Sequence, residues 1–209
     1  MDAARLAKDT RKSQKTRARI LDRAMHLFAE IGYHAATNPA IADAAGLTRG
    51  AMLYHFPTRE ALVEAAVAHI QAERSALFRA AADSLPPGAD VTEHAIDSYW
   101  DLLHSVPFTA FAELEAAGRT DPAIHALLAP AQAEFDRAQA GDHFLKILHA
   151  GAGPRFQASR DLARFMLEGL ARTTLTYDKD GRKERLLAVI KRATHMLNRK
   201  GDIQDLWPE

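Results

Sequence analysis

The sequence predicts an all-α protein in two parts: an N-terminal three-helix helix-turn-helix domain, joined by a long helix to a larger helical bundle. Three observations carry this. Residues 37–62, TNPAIADAAGLTRGAMLYHFPTREAL, place apolar residues at helical spacing on both sides of a glycine. From Thr58 to about Asp83 a helical stripe continues without a break. Beyond the loop SLPPGAD, residues 84–90, no segment alternates polar and apolar residues as a strand would.

Composition sets the outer limits. With 209 residues, 47% of them hydrophobic, the chain has material for one or two domains with a sizeable core and does not read as disordered. The absence of cysteine excludes a disulfide framework and a cysteine-based zinc site. The start, MDAARLAKDTRK, lacks the apolar run of a secretory signal. No apolar stretch approaches the roughly 20 residues of a membrane span, so a cytoplasmic protein without a membrane partner is expected. The ten histidines never fall at i, i+4, and there is no G-x-S-x-G, H-E-x-x-H or glycine-rich phosphate loop after a strand. No metal, cofactor or catalytic residue is therefore expected. Net charge is zero, yet residues 1–60 hold 10 Lys and Arg against 6 Asp and Glu, and residues 61–209 hold 17 against 21. A basic first quarter on an acidic remainder is the pattern of a protein that meets nucleic acid with one end.

Residues 1–14 carry Arg5, Lys8, Arg11 and Lys12 among short polar residues. They read as a basic arm, flexible or partly helical, which either adds phosphate attraction or is a solvated tail. A helix over residues 16–31 puts Ile20, Ala24, Leu27, Phe28 and Ile31 on one face. Gly32 stops it, and Tyr33 packs the loop that follows.

Next come Ile41, Ala42 and Ala45 at helical spacing, with Gly46 supplying the left-handed residue that ends their helix. Thr48 caps a short helix from Arg49 to about Phe56, terminated by Pro57, and Thr58 caps the next. Ala42 and Gly46 are small enough for the steep crossing of a helix-turn-helix. If Met52 faces the core, steps of about 100° per residue turn Gly50 and Tyr54 outward with Leu53 beside them. An outer face of Thr48, Arg49, Gly50, Tyr54 and His55 suits a recognition helix in a DNA major groove. The same residues also fit an ordinary helical hairpin.

The long helix buries Leu62, Val63, Ala66, Val67, Ile70 and Leu77. After the loop at 84–90, helices are expected over residues 92–105 and 107–117, and from Asp121-Pro122 to about His149 with a kink near Pro130. These middle helices are rich in Tyr99, Trp100, His104, Phe108, Phe111, Phe135, His143 and Phe144, to which Phe165 adds. Such residues either pack a core or line an apolar cavity for a small molecule, with His104, Glu115 and Glu168 as polar candidates. Two further helices, 157–177 and 182–199, carry one stripe of Leu162, Phe165, Met166, Gly169, Leu170 and Thr173 and another of Leu186, Val189, Ile190, Ala193, Met196 and Leu197. Either the stripes close the monomer core or they pair with their symmetry mates in a homodimer.

The run TRARILDRAMHLFAEIGYHAAT followed by IADAAGLTRGAMLYHFPTREAL resembles the DNA-binding domain of the tetracycline-repressor (TetR) family of transcriptional regulators across residues 15–65. The resemblance implies a division into a basic arm (1–14), a DNA-binding domain (15–62) and an effector-binding and dimerisation domain (63–209). It implies a repressor that holds a palindromic operator as a homodimer until a small-molecule effector releases it. The residues implied for DNA binding are Lys15, Arg17, Thr37, Thr48, Arg49, Gly50, Leu53, Tyr54, His55, Thr58 and Arg59. For the effector they are Tyr99, Trp100, His104, Phe108, Phe111, Phe135 and Phe165, and for the dimer Leu162, Phe165, Gly169, Thr173, Leu186, Val189, Ile190, Ala193 and Leu197. Leu53 stands where the family usually has a phosphate-contacting Tyr, Tyr54 takes the variable position that often meets bases, and Arg59 replaces the usual Lys. The competing reading is a helical ligand-binding or scaffold protein with a degenerate DNA-binding domain.

Overall fold

Capping chemistry sets most helix boundaries in the computed structural model, which describes residues 3–140, 154–173 and 180–198, and of these the backbone alone at 3–10, 139–140 and 154–156. The first helix, α1 (Ala3–Ala35), already includes most of the basic arm. Residues 3–31 contain neither Gly nor Pro, so nothing stops the helix short of Gly32. There φ is 78°, which a side chain would resist, and regular helix geometry ends. Thr37 caps α2 (Asn38–Ala44), its hydroxyl accepting the Ala40 N–H at 3.4 Å; Pro39 falls in the first turn, where no N–H is needed. At the other end Gly46, with φ of 64°, lets Leu47 donate its N–H to the Ala42 carbonyl and Gly46 its own to Asp43. This is a Schellman turn. It leads straight to Thr48, the cap of α3 (Arg49–His55), whose hydroxyl accepts the Ala51 N–H at 3.2 Å.

Thr58 caps α4 (Arg59–Asp83) by accepting the Ala61 N–H at 3.1 Å. Glu60, in the first turn, has its carboxyl held below the usual range by its own backbone N–H and the Thr58 hydroxyl. Asp90 caps α5 (Val91–Leu103), and α6 (Val106–Gly118) begins on Ser105 with Pro107 in its first turn. Asp121 caps α7 (Pro122–Ala140), its carboxylate accepting the N–H groups of Ala123 and Ile124, and α7 accommodates Pro130 in its interior. Two more helices follow, α8 (Pro154–Ala171) and α9 (Arg182–Asn198). No strand occurs among the described residues. The continuation of α7 toward His149, and with it His143 and Phe144, lies outside those residues, as do the loop before Pro154 and the stretch 174–179.

The chain forms two compact units, Met1–Ala76 with Ser105–Asp136, and Leu77–His104 with Arg137–Glu209, so that α4 is divided between them after Ala76. In the first, α6 packs along α1. One continuous core holds Ile20, Ala24 and Phe28 of α1, Ile41 of α2, Met52 of α3, Phe56, Leu62 and Ile70 of α4, and Phe111 and Leu114 of α6. Ile31, expected on the buried face, is 49% exposed. The chain turns at Gly32 directly after it, and Tyr33 takes the contact instead, its ring 5.8 Å from that of Phe28. Leu77 is only half-buried, whereas two polar residues of the same α4 stripe, Gln71 and Arg74, are buried.

In the second unit α5 packs against both α8 and α9, which pack against each other. Its polar links are Tyr99 Oη donating to Glu168 Oε1 at 2.8 Å, Arg164 Nε donating to the same oxygen at 2.8 Å, and Lys191 Nζ bonded to Asp97 at 2.7 Å. Large apolar side chains remain at the surface: Leu162, Phe165 and Met166 on α8, and Leu186, Val189 and Met196 on α9.

Candidate nucleic-acid interface

The short α3 is seated by two residues one turn apart, Met52 and Phe56, which are 2% and 0% exposed. Burying them leaves the opposite side outward. Thr48, Arg49, Gly50, Leu53 and Tyr54 are exposed, Tyr54 at 81%, and His55 is half-buried with its ring edge-on to Tyr54 at 5.2 Å. A Cβ on Gly50 would meet nothing within 4 Å, so the glycine keeps the outer backbone bare without any need inside the fold.

Two guanidinium groups hold this helix and its neighbours from behind. Arg17 of α1 donates from Nη1 to the His55 carbonyl at 3.0 Å and lies 4.1 Å from the Phe56 ring centroid. It thus places a cation on the carbonyl end of α3, where the helix dipole favours one. Arg59, at the start of α4, donates to the Ala36 carbonyl at 2.7 Å, the Tyr33 carbonyl at 3.1 Å and Asn38 Oδ1 at 3.2 Å. Its guanidinium also lies 4.8 Å from the Tyr33 ring. These are the carbonyls left over where α1 ends, so Arg59 ties the end of α1 and the start of α2 to α4. The sequence gives no sign of either bond. Thr37, Thr48 and Thr58 each use the hydroxyl oxygen in a cap, which leaves the O–H of Thr37 and Thr48 to donate outward, whereas that of Thr58 meets the Glu60 carboxylate. Lys15 is exposed on α1, and neither it nor Arg49 makes a hydrogen bond or ion pair to another described residue.

The residues expected around an effector fall into separate groups. Phe108, Phe111 and Phe135 are buried in the first unit, where their ring centroids lie 5.0, 3.8 and 4.2 Å from the Arg74 guanidinium. Arg74 is 4% exposed and donates to Gln71 Oε1 and Gln132 Oε1. The apolar stripe of α4 had this signal in it, since 67, 70, 71 and 74 share a face and two of the four are polar. Tyr99, Trp100, His104 and Phe165 belong to the second unit. Tyr99 is bound to Glu168, Trp100 and His104 stack edge-on at 4.5 Å, and Phe165 is 63% exposed. Tyr99 also lines a small, open, mostly apolar cleft with Phe78, Leu85, Val91, His94 and Leu102. Of the residues expected at a dimer interface, Leu162, Phe165, Gly169, Leu186 and Val189 are exposed, and Thr173, Ala193 and Leu197 are half-buried. Ile190, 2% exposed, faces its own chain, which removes it from any surface that a second copy could meet.

A helix-turn-helix with a solvent-facing second helix defines the class of this domain. Residues 20–66 match the family model described as bacterial regulatory proteins, tetR family. The chain is 30% identical over 118 residues to the HTH-type transcriptional regulator UidR of Escherichia coli (strain K12), a match covering 56% of this chain and 58% of that one. It therefore spans little more than half the length of that curated relative. Over 58 residues, 28% of each chain, it is 43% identical to the HTH-type transcriptional repressor KstR2 of Rhodococcus jostii (strain RHA1). Among solved structures, Salmonella enterica GusR shares the fold with a TM-score of 0.64 over 88% of this chain and 95% of that one, at 20% identity. Residues 20–66 thus form a DNA-binding domain of the tetR type, and the curated relatives that match the chain are transcriptional regulators. No described helix is long and apolar enough to cross a membrane.

Proposed function

We propose that this protein is a sequence-specific, homodimeric repressor that binds a palindromic operator through α3 and is released by a small-molecule effector. The observation that carries the reading is the build of α3. Met52, Phe56 and Arg17 fix the helix from behind, while Arg49, Gly50, Leu53 and Tyr54 are presented to solvent with no structural task of their own. Seven residues read too few bases alone, and a twofold dimer doubles the site. The exposed apolar side chains of α8 and α9 offer a surface on which two copies would pair. The cleft beside Tyr99 and His94 is a place in the second unit where an effector would act on the last turns of α4.

Selection of bound duplexes from a random pool by the purified protein tests this. An enriched inverted repeat is expected, its half-sites about one helical turn apart or a multiple of that. Arg49→Ala with Tyr54→Ala should abolish the enrichment while dimer and thermal stability stay intact. Salt-sensitive binding without any enriched sequence would favour a degenerate DNA-binding domain instead.

A further inference from the structure

The outward chemistry of α3 narrows what it can read. Of the side chains that discriminate bases by paired hydrogen bonds, Asn and Gln for adenine and Asp and Glu for cytosine are absent from α3, whose sequence is RGAMLYH. Arg49 alone has the fork that pairs with guanine. Its neighbours on the exposed side are Leu53 and Tyr54, 40% and 81% exposed. Neither side chain is needed to hold the helix, since Met52 and Phe56 supply its apolar anchors and Arg17 its C-terminal clamp. An isobutyl group and a phenol ring next to each other, on a helix that enters a major groove, match one feature of the base edges there: the C5 methyl of thymine.

Resting on the operator-binding reading, we infer that Leu53 and Tyr54 determine specificity by packing against thymine methyl groups. Each half-site then has a thymine-bearing core, with at most one guanine read by Arg49. The Tyr54 ring lies edge-on to that of His55 at 5.2 Å, with most of its surface open to such packing. Discrimination by this means is apolar. It survives added salt better than the phosphate contacts do, because no counterion is released when a methyl is buried.

The test uses the full-length protein and the duplex recovered by selection. Each thymine is replaced in turn by deoxyuridine, which deletes the methyl and leaves every hydrogen-bonding group in place. At the thymines under α3 each replacement should weaken binding about fourfold, the effect of one buried methyl. Tyr54→Ala and Leu53→Ala should each remove the sensitivity at its own position, and Tyr54→Phe should retain it. Both side chains are exposed, so the variants fold, and an unchanged thermal transition verifies that. A selected operator on which deoxyuridine has no effect at any position overturns this inference alone. If no operator is selected at all, the operator-binding reading falls and this inference falls with it.

Discussion

The two compact units differ in what they do with large apolar side chains. In the first, Phe28, Phe56, Ile41, Leu62 and Ile70 are all at 0% exposure, and the large apolar residues left outside among the described ones are Ile31 and the Leu53–Tyr54 pair of α3. In the second, six such residues on α8 and α9 lie open. Half-buried polar ties occur in both: Arg59 on backbone carbonyls in the first unit, and Glu168 with Tyr99 and Arg164 in the second. The first unit is thus complete within one chain, and the second has apolar surface still to be covered. On the proposed reading, the copy that pairs with this chain belongs on the second unit, where α8 and α9 leave apolar side chains open.

Four substitutions test that contrast. The largest effect is expected from Phe28→Ala, which empties the middle of the first core and should cost about 3–5 kcal/mol in urea denaturation. Val189→Glu sets a charge on the open face of α9, where Val189 is 55% exposed. It should raise the dimer dissociation constant by roughly 100-fold, read by sedimentation at graded concentrations, while the monomer's helix content is unchanged. A variant that sediments as the wild type does would place the partner surface elsewhere.

Arg59→Lys keeps the charge but cannot reproduce the bonds to Tyr33, Ala36 and Asn38 from one ammonium group. We expect a loss of about 2 kcal/mol in stability, measurable in the absence of DNA. A variant of unchanged stability that binds operator weakly would instead make Arg59 a phosphate contact. Lys191→Ala removes an exposed pair and should cost less than about 0.5 kcal/mol.

The helix-turn-helix was legible because its signals are local. Thr37, Thr48, Thr58 and Asp121 each act within three residues of themselves, and Gly46 must have its positive φ wherever the rest of the chain lies. Periodicity likewise sorted Met52 from Tyr54. What periodicity cannot state is which helix a face will meet. That α6 would join the core of α1, so that Phe108, Phe111 and Phe135 gather on Arg74 in the first unit, depends on contacts between residues far apart in sequence. The roles of Arg17 and Arg59 were hidden for the same reason, since their acceptors are carbonyls, which every residue possesses.

That Arg17 grips a backbone carbonyl has a bearing on how such a protein changes over generations. The support of α3 consists of one carbonyl, the Phe56 ring and Met52, and none of these is a residue that faces outward. Mutations at 49, 50, 53 and 54 therefore leave the mounting untouched, and on the proposed reading a lineage would rewrite its operator by drift at four surface positions without first gaining stability to spare. The mounting itself has no such latitude.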